Sequence, residues 1–186
     1  MTLPPRLAWT VGLVATFSLA IVVHILVVLT VPDNVSHSAY EDIADFGPDR
    51  SFNLLPDVVA GAEPLPALDP SMQHAACRFR LEDGPVLFTA AIPVPFWSIG
   101  LFNEVGEAVY SLNNRTAGSD ILSMLLLTPQ QLSILRQNPP DDLEDLIVIE
   151  VEDTNGFALL RAFSPHAYQR QDVESALSTA YCGFLG

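Results

Sequence analysis

The groups with most chemical potential in this sequence are four histidines, two cysteines, an acidic run and one arginine-bearing turn. His24, His37, His74 and His166 are widely separated. No two stand three or four residues apart, so no helical metal pair exists. The chain contains no H-E-x-x-H, no G-x-S-x-G, no P-loop and no G-x-G-x-x-G. His74 and His166 each sit near Arg and Pro and read as exposed loop histidines, because acid–base and metal roles need a second positioned group. Asp141-Asp142-Leu143-Glu144-Asp145 lacks the spacing and the glycine of a calcium loop and reads as a solvated loop. No metal and no cofactor is expected, and an enzyme is the least supported class.

The most unusual polar group is Ser111-Leu112-Asn113-Asn114-Arg115, downstream of Phe96-Trp97-Ser98. A guanidinium near an aromatic face can hold an anionic or planar ligand. Trp97, Asn113 and Arg115 are therefore candidate ligand-binding residues. The plainer alternative is an arginine that satisfies loop carbonyls and pins the turn, with Trp97 in the core. Cys77 and Cys182 are far apart and form no C-x-x-C, so zinc and iron–sulfur sites lack ligands. An even pair in an oxidising compartment most simply forms one disulfide, Cys77–Cys182; two buried free thiols are the alternative.

Where these groups work follows from the apolar run Ala8–Val31, which holds no Asp, Glu, Lys or Arg. As a helix it spans roughly 36 Å, against about 30 Å of hydrocarbon core. It is longer than a signal-peptide core of about 7–15 residues, and an uncleaved membrane anchor is expected. Arg6 precedes the run; Asp33, Glu41, Asp42 and Asp45 follow it. Positive flanks stay inside, so residues 32–186 are expected on the outer side of the membrane. Within the run, Ala8, Gly12, Thr16, Ala20 and His24 recur every four residues and share one helical face. Small residues at that spacing let helices approach closely, so the helix is expected to pair through Gly12, Thr16, Ala20 and His24, with itself or with another envelope protein.

The chain carries 22 acidic residues against eight arginines, has no lysine, and has a net charge of −14. That field repels phosphate backbones and disfavours nucleic acid as a partner. Three segments are expected: a cytoplasmic stub and transmembrane helix over 1–31, a short helix and Pro-rich linker over 32–71, and a β-rich domain over 72–186. Ser36 or Ser38 can cap the short helix, which ends by Gly47. Pro48, Pro56, Pro64, Pro66 and Pro70 break regular structure across the linker. Phe52, Leu54, Leu55 and Leu65 suggest that it lies on a surface. Alternation of apolar and polar residues over 75–82, and short runs bounded by turns after it, then predict strands over 75–82, 86–92, 96–103, 107–112, 121–127, 146–152 and 157–163. Thr128-Pro129-Gln130-Gln131 opens a helix that ends near Asn138, and Ser164-Pro165 opens a last helix running toward Tyr181. Short strands and tight turns argue for a mainly β fold with a few helices, an antiparallel sandwich or partly open barrel behind one transmembrane helix.

The strand-rich block resembles the domain-of-unknown-function 1254 family, through Leu81-Glu82-Asp83-Gly84-Pro85-Val86, Phe96-Trp97-Ser98-Ile99, Tyr110–Gly118 and Leu159-Leu160-Arg161-Ala162. The resemblance covers roughly residues 70–165, and a sister family shares the Phe-Trp-Ser motif. It implies a β-rich exported domain in a Gram-negative inner membrane and implies no activity. Two function classes follow. The first is a structural or interaction protein of the envelope. The second is a binding module for a small or lipid-like ligand near Trp97 and Arg115.

Overall fold

The apolar run forms α1 (Pro5–Thr30), 26 residues with a mean hydropathy of 2.6 over its most apolar window. It is long and apolar enough to cross a membrane. Pro5 opens it at the first helical position, where the missing N–H costs nothing. The hydroxyl of Thr10 donates back to the Leu7 carbonyl, that of Thr16 to Gly12, and that of Thr30 to Leu26. Such back-bonding hides hydroxyls that would be costly in hydrocarbon. The computed structural model describes residues 4–30, 38–66, 68–137, 139 and 143–185. The helix belongs to one compact unit, and everything from Ser38 onward belongs to a second.

The second unit opens with α2 (Ala39–Ala44), where Ser38 and Glu41 complete a capping box. Ser36, the other expected cap, lies outside the described residues. The proline-rich stretch that follows contains a short strand, β1 (Asn53–Leu54). Phe52 and Leu55 are buried there, Phe52 in the main core and Leu55 in a smaller cluster against which Leu65 packs, whereas Leu54 is exposed. The stretch belongs by its contacts to the same unit as the strands.

Then come β2 (Met72–Arg80), β3 (Val86–Ala91), β4 (Trp97–Asn103), β5 (Ala108–Asn113), α3 (Asn114–Ala117), β6 (Ile121–Leu127), α4 (Pro129–Leu135), β7 (Ile147–Glu150), β8 (Asn155–Phe163), α5 (Arg170–Ser178) and β9 (Tyr181–Phe184). They build two sheets, ordered β1-β2-β8-β4-β5 and β7-β6-β3-β9. The first is antiparallel throughout. In the second, β6 and β7 run parallel, which departs from the expected antiparallel arrangement. The cause is α4, which follows β6 and carries the chain over to β7; a crossover lets neighbours run the same way, and a hairpin cannot. Thr128 caps α4, and Gln131 returns the bond to the Thr128 N–H at 2.9 Å.

The chain's end also differs from expectation. The last helix does not open at Ser164. A 3₁₀ turn at Ala167–Gln169 precedes α5, and the chain is extended again by Tyr181. That extension is β9, which pairs antiparallel with β3. It brings Cys182 into the second sheet, and the Cys77–Cys182 disulfide therefore joins the two sheets. One core lies between them. Ala75, Cys77 and Phe79 of β2, Ile99 and Leu101 of β4, and Leu160 of β8 meet Val86 and Phe88 of β3, Leu122 and Met124 of β6, and Cys182 of β9. Val173 and Leu177 of α5 complete it.

Candidate functional site

Side chains alternate across a strand, so the five-stranded sheet has a second, outward face. That face divides into two parts. On one, Ala76, Phe157 and Leu159 are covered by Tyr40 and Ile43 of α2 and by Leu55 and Leu68. Arg78 fixes this cover: its Nε donates to Asp49 Oδ1 at 2.6 Å, its Nη1 to the Tyr40 carbonyl at 3.2 Å, and its guanidinium lies 4.5 Å from the Tyr40 ring centre. Arg80 Nε donates to the Tyr40 hydroxyl. Its proximity to that hydroxyl and to Asp49 holds the Arg80 pKa above the ordinary arginine value.

The other part is polar. His74 of β2 stands opposite Arg161 of β8; Arg161 stands opposite Ser98 of β4; Ser98 stands opposite Asn113 of β5. Outward side chains opposed in this way have Cβ atoms about 4.5–5.5 Å apart. His74 is 2% exposed, and its Nε2 is enclosed without a hydrogen-bond partner among the described residues. Burial is the main force pushing its pKa down to about 4, with the Arg161 charge adding to it and Asp69 opposing. The expectation of an exposed loop histidine is thus corrected: β2 begins at Met72 and takes His74 into the sheet. His166 does lie exposed, stacked on Tyr168.

Arg161 is half-buried, and burial lowers its pKa. Its Nε is enclosed and unpartnered among the described residues. The guanidinium reaches across β4 above Gly100, where a Cβ would stand 3.2 Å from Nη2 and 2.8 Å from the Phe102 ring. Only glycine leaves that space.

The residues expected to bind a ligand do not converge. Trp97 is wholly buried in the core between the sheets, so its ring is closed to a ligand. Asn113 caps α3, its Oδ1 accepting from the N–H groups of Arg115 and Thr116 at 3.0 and 3.1 Å. Arg115 is exposed and contributes its backbone N–H. The turn is therefore pinned by Asn113, and the Arg115 guanidinium makes no hydrogen bond or ion pair among the described residues. On α1, the face of Gly12, Thr16, Ala20 and His24 is open, and a Cβ at Gly12 would meet nothing within 4 Å. Asp141 and Asp142 lie outside the described residues, and no group of three or more potential metal ligands occurs among the described ones. A depression of about 340 Å³ opens between Asn103–Val105 and Asp153–Asn155, with Glu104 and Asp153 as its only carboxylates.

Sequence reasoning missed His74 and Arg161 as a pair. Arg161 fell inside an expected strand, whereas His74 was placed just before one, and the register that sets them opposite each other was not visible.

No family model matches the chain, and no curated protein matches it. Among solved structures it is similar to the VPA0106 protein of Vibrio parahaemolyticus, with a TM-score of 0.58 at 12% identity over 80% of this chain. It is also similar to an uncharacterised protein of Burkholderia cenocepacia, with a TM-score of 0.47 at 12% identity over 67% of this chain. The chain spans 35% of the length of each. The first likeness shows a shared fold, in which this chain corresponds to about a third of a larger protein.

Proposed function

We propose that this protein is anchored in a bacterial inner membrane by α1 and places a two-layer β sandwich in the periplasm, where it acts as a structural or interaction element of the envelope. The observation that carries this reading is the Cys77–Cys182 disulfide in a chain that also bears a span-length apolar helix. Disulfides persist in oxidising compartments outside the cytoplasm, and the charge step from Arg6 to Glu41, Asp42 and Asp45 orients the helix the same way. The resemblance to the domain-of-unknown-function 1254 family supports the same location. The partner is another envelope protein or a second copy, met in the membrane through Gly12, Thr16, Ala20 and His24. A small-molecule site at Trp97 has lost its support, because that ring is enclosed.

The test is a pair of C-terminal fusions, one to a reporter that works only outside the cytoplasm and one to a reporter that works only inside. Activity of the first alone is expected; activity of the second alone overturns the proposal. Replacing Gly12 and Ala20 by Leu should lower association in a membrane two-hybrid assay at equal expression. An unchanged signal reduces α1 to a plain anchor.

A further inference from the structure

We infer that the outer face of the five-stranded sheet holds a carboxylate group, bound by the Arg161 guanidinium with the Ser98 and Ser111 hydroxyls beside it. The argument begins with charge. Arg50 pairs with Asp83, Arg78 and Arg80 with Asp49, and Arg170 with Asp57. The arginines without a carboxylate among the described residues are Arg6, Arg115, Arg136 and Arg161, and of these only Arg161 is not exposed. A charge taken partly out of water is costly unless it is paired. In a chain with 22 acidic residues, a half-buried arginine left without one marks a place kept for an anion from outside.

The surroundings select the anion. Gly100 leaves a floor over which the guanidinium extends, and it stands opposite Ser111 of the edge strand β5. Ser98 stands opposite Arg161 itself. Neither serine hydroxyl is engaged in a hydrogen bond among the described residues, so both are available as donors. A planar fork flanked by hydroxyls matches a planar carboxylate, which accepts two parallel N–H bonds. His74, on the far side of Arg161, faces Arg161 and Asp69, and burial keeps it neutral near pH 7. The Asp69 carboxylate is engaged by the N–H and hydroxyl of Ser71, at 2.8 and 2.7 Å. The site therefore carries one positive charge. It suits a monoanion better than a phosphate dianion, which the negative field of the whole chain disfavours further. The ligand class is a small molecule or chain terminus that presents one carboxylate.

The experiment uses the full chain, isotopically labelled, in detergent micelles. Acetate, chloride and inorganic phosphate are added separately at equal ionic strength, and the Arg161 Nε–H and Gly100 amide resonances are followed. Acetate should shift both saturably and chloride should not. Arg161→Lys keeps the charge and loses the fork, and should weaken acetate binding roughly tenfold, read at Gly100. Ser98→Ala should weaken it roughly threefold. If Arg161→Lys does not fold, the Ser98→Ala titration read at Arg161 Nε carries the test, a weaker response supporting the site and an unchanged one overturning it. A linear acetate response equal to that of chloride overturns the site. Saturable phosphate binding tighter than that of acetate overturns the ligand class.

Discussion

The two faces of the five-stranded sheet are made from alternate residues of the same strands, yet they have opposite characters. The inward face is apolar: Ala75, Cys77, Phe79, Trp97, Ile99, Leu101, Leu112, Ala158, Leu160 and Ala162 all join the core. The outward face is apolar only where α2 and the proline-rich stretch cover it, and it turns polar at His74, Arg161, Ser98 and Asn113. The difference lies in what each face contributes to stability. Inward residues supply stability by leaving water, worth about 25 cal/mol per Å² of apolar surface. The polar row adds little of this kind, and keeping His74 and Arg161 there has a cost in desolvation. The carboxylate site inferred above rests on polar groups retained in this way.

The comparison breaks most visibly at Trp97. If the inward face carries the fold, Trp97→Ala should remove about 3–5 kcal/mol, read by denaturant unfolding in detergent. A loss below about 1 kcal/mol would mean that the ring is dispensable to the core.

The next effect is on the outward face and depends on pH. The folded-state pKa of His74 is depressed from 6.5 to about 4, so the unfolded chain takes up its proton first as pH falls. Stability is full above pH 6.5 and declines as pH drops toward 4. Between pH 7 and 4.5 the loss from this group should be about 2–3 kcal/mol. His74→Gln should flatten that part of the profile. Asp69 is also held low, by its bonds to Ser71; its contribution is lost at lower pH, below its ordinary value of 3.8. A variant with the same slope as the parent between pH 7 and 4.5 would remove His74 from the account.

The smallest effects separate two neighbours at the polar edge. Asn113→Ala removes the cap of α3 and should cost about 1 kcal/mol. Arg115→Ala should stay within about 0.5 kcal/mol, since its side chain is exposed and unpaired among the described residues. The reverse order would return the turn-pinning role to the arginine.

How far these features were legible follows from their range in sequence. The strand Ile121–Leu127 and the Thr128–Gln131 capping box were readable, because an apolar run and a four-residue motif are local signals. The disulfide was readable from the count of cysteines, but its meaning was not. Tyr181–Phe184 is a four-residue strand next to a helix, with no period long enough to detect, so the bond was expected at a helix end rather than between sheets. The parallel neighbour β7 was hidden because pairing direction depends on where α4 carries the chain. His74 was misread for the same kind of reason: its place in the sheet depends on pairing with Arg161 of β8, more than eighty residues later.

One measurement bears most directly on the central claim, that a sheet-to-sheet disulfide holds an exported, membrane-anchored β unit. Cells expressing the full chain are denatured in acid, alkylated without reduction, and the mass of the protein is read before and after reduction with a second alkylating agent. The account predicts no modification in the first step and two in the second, at Cys77 and Cys182. Full modification of both cysteines before reduction would contradict it.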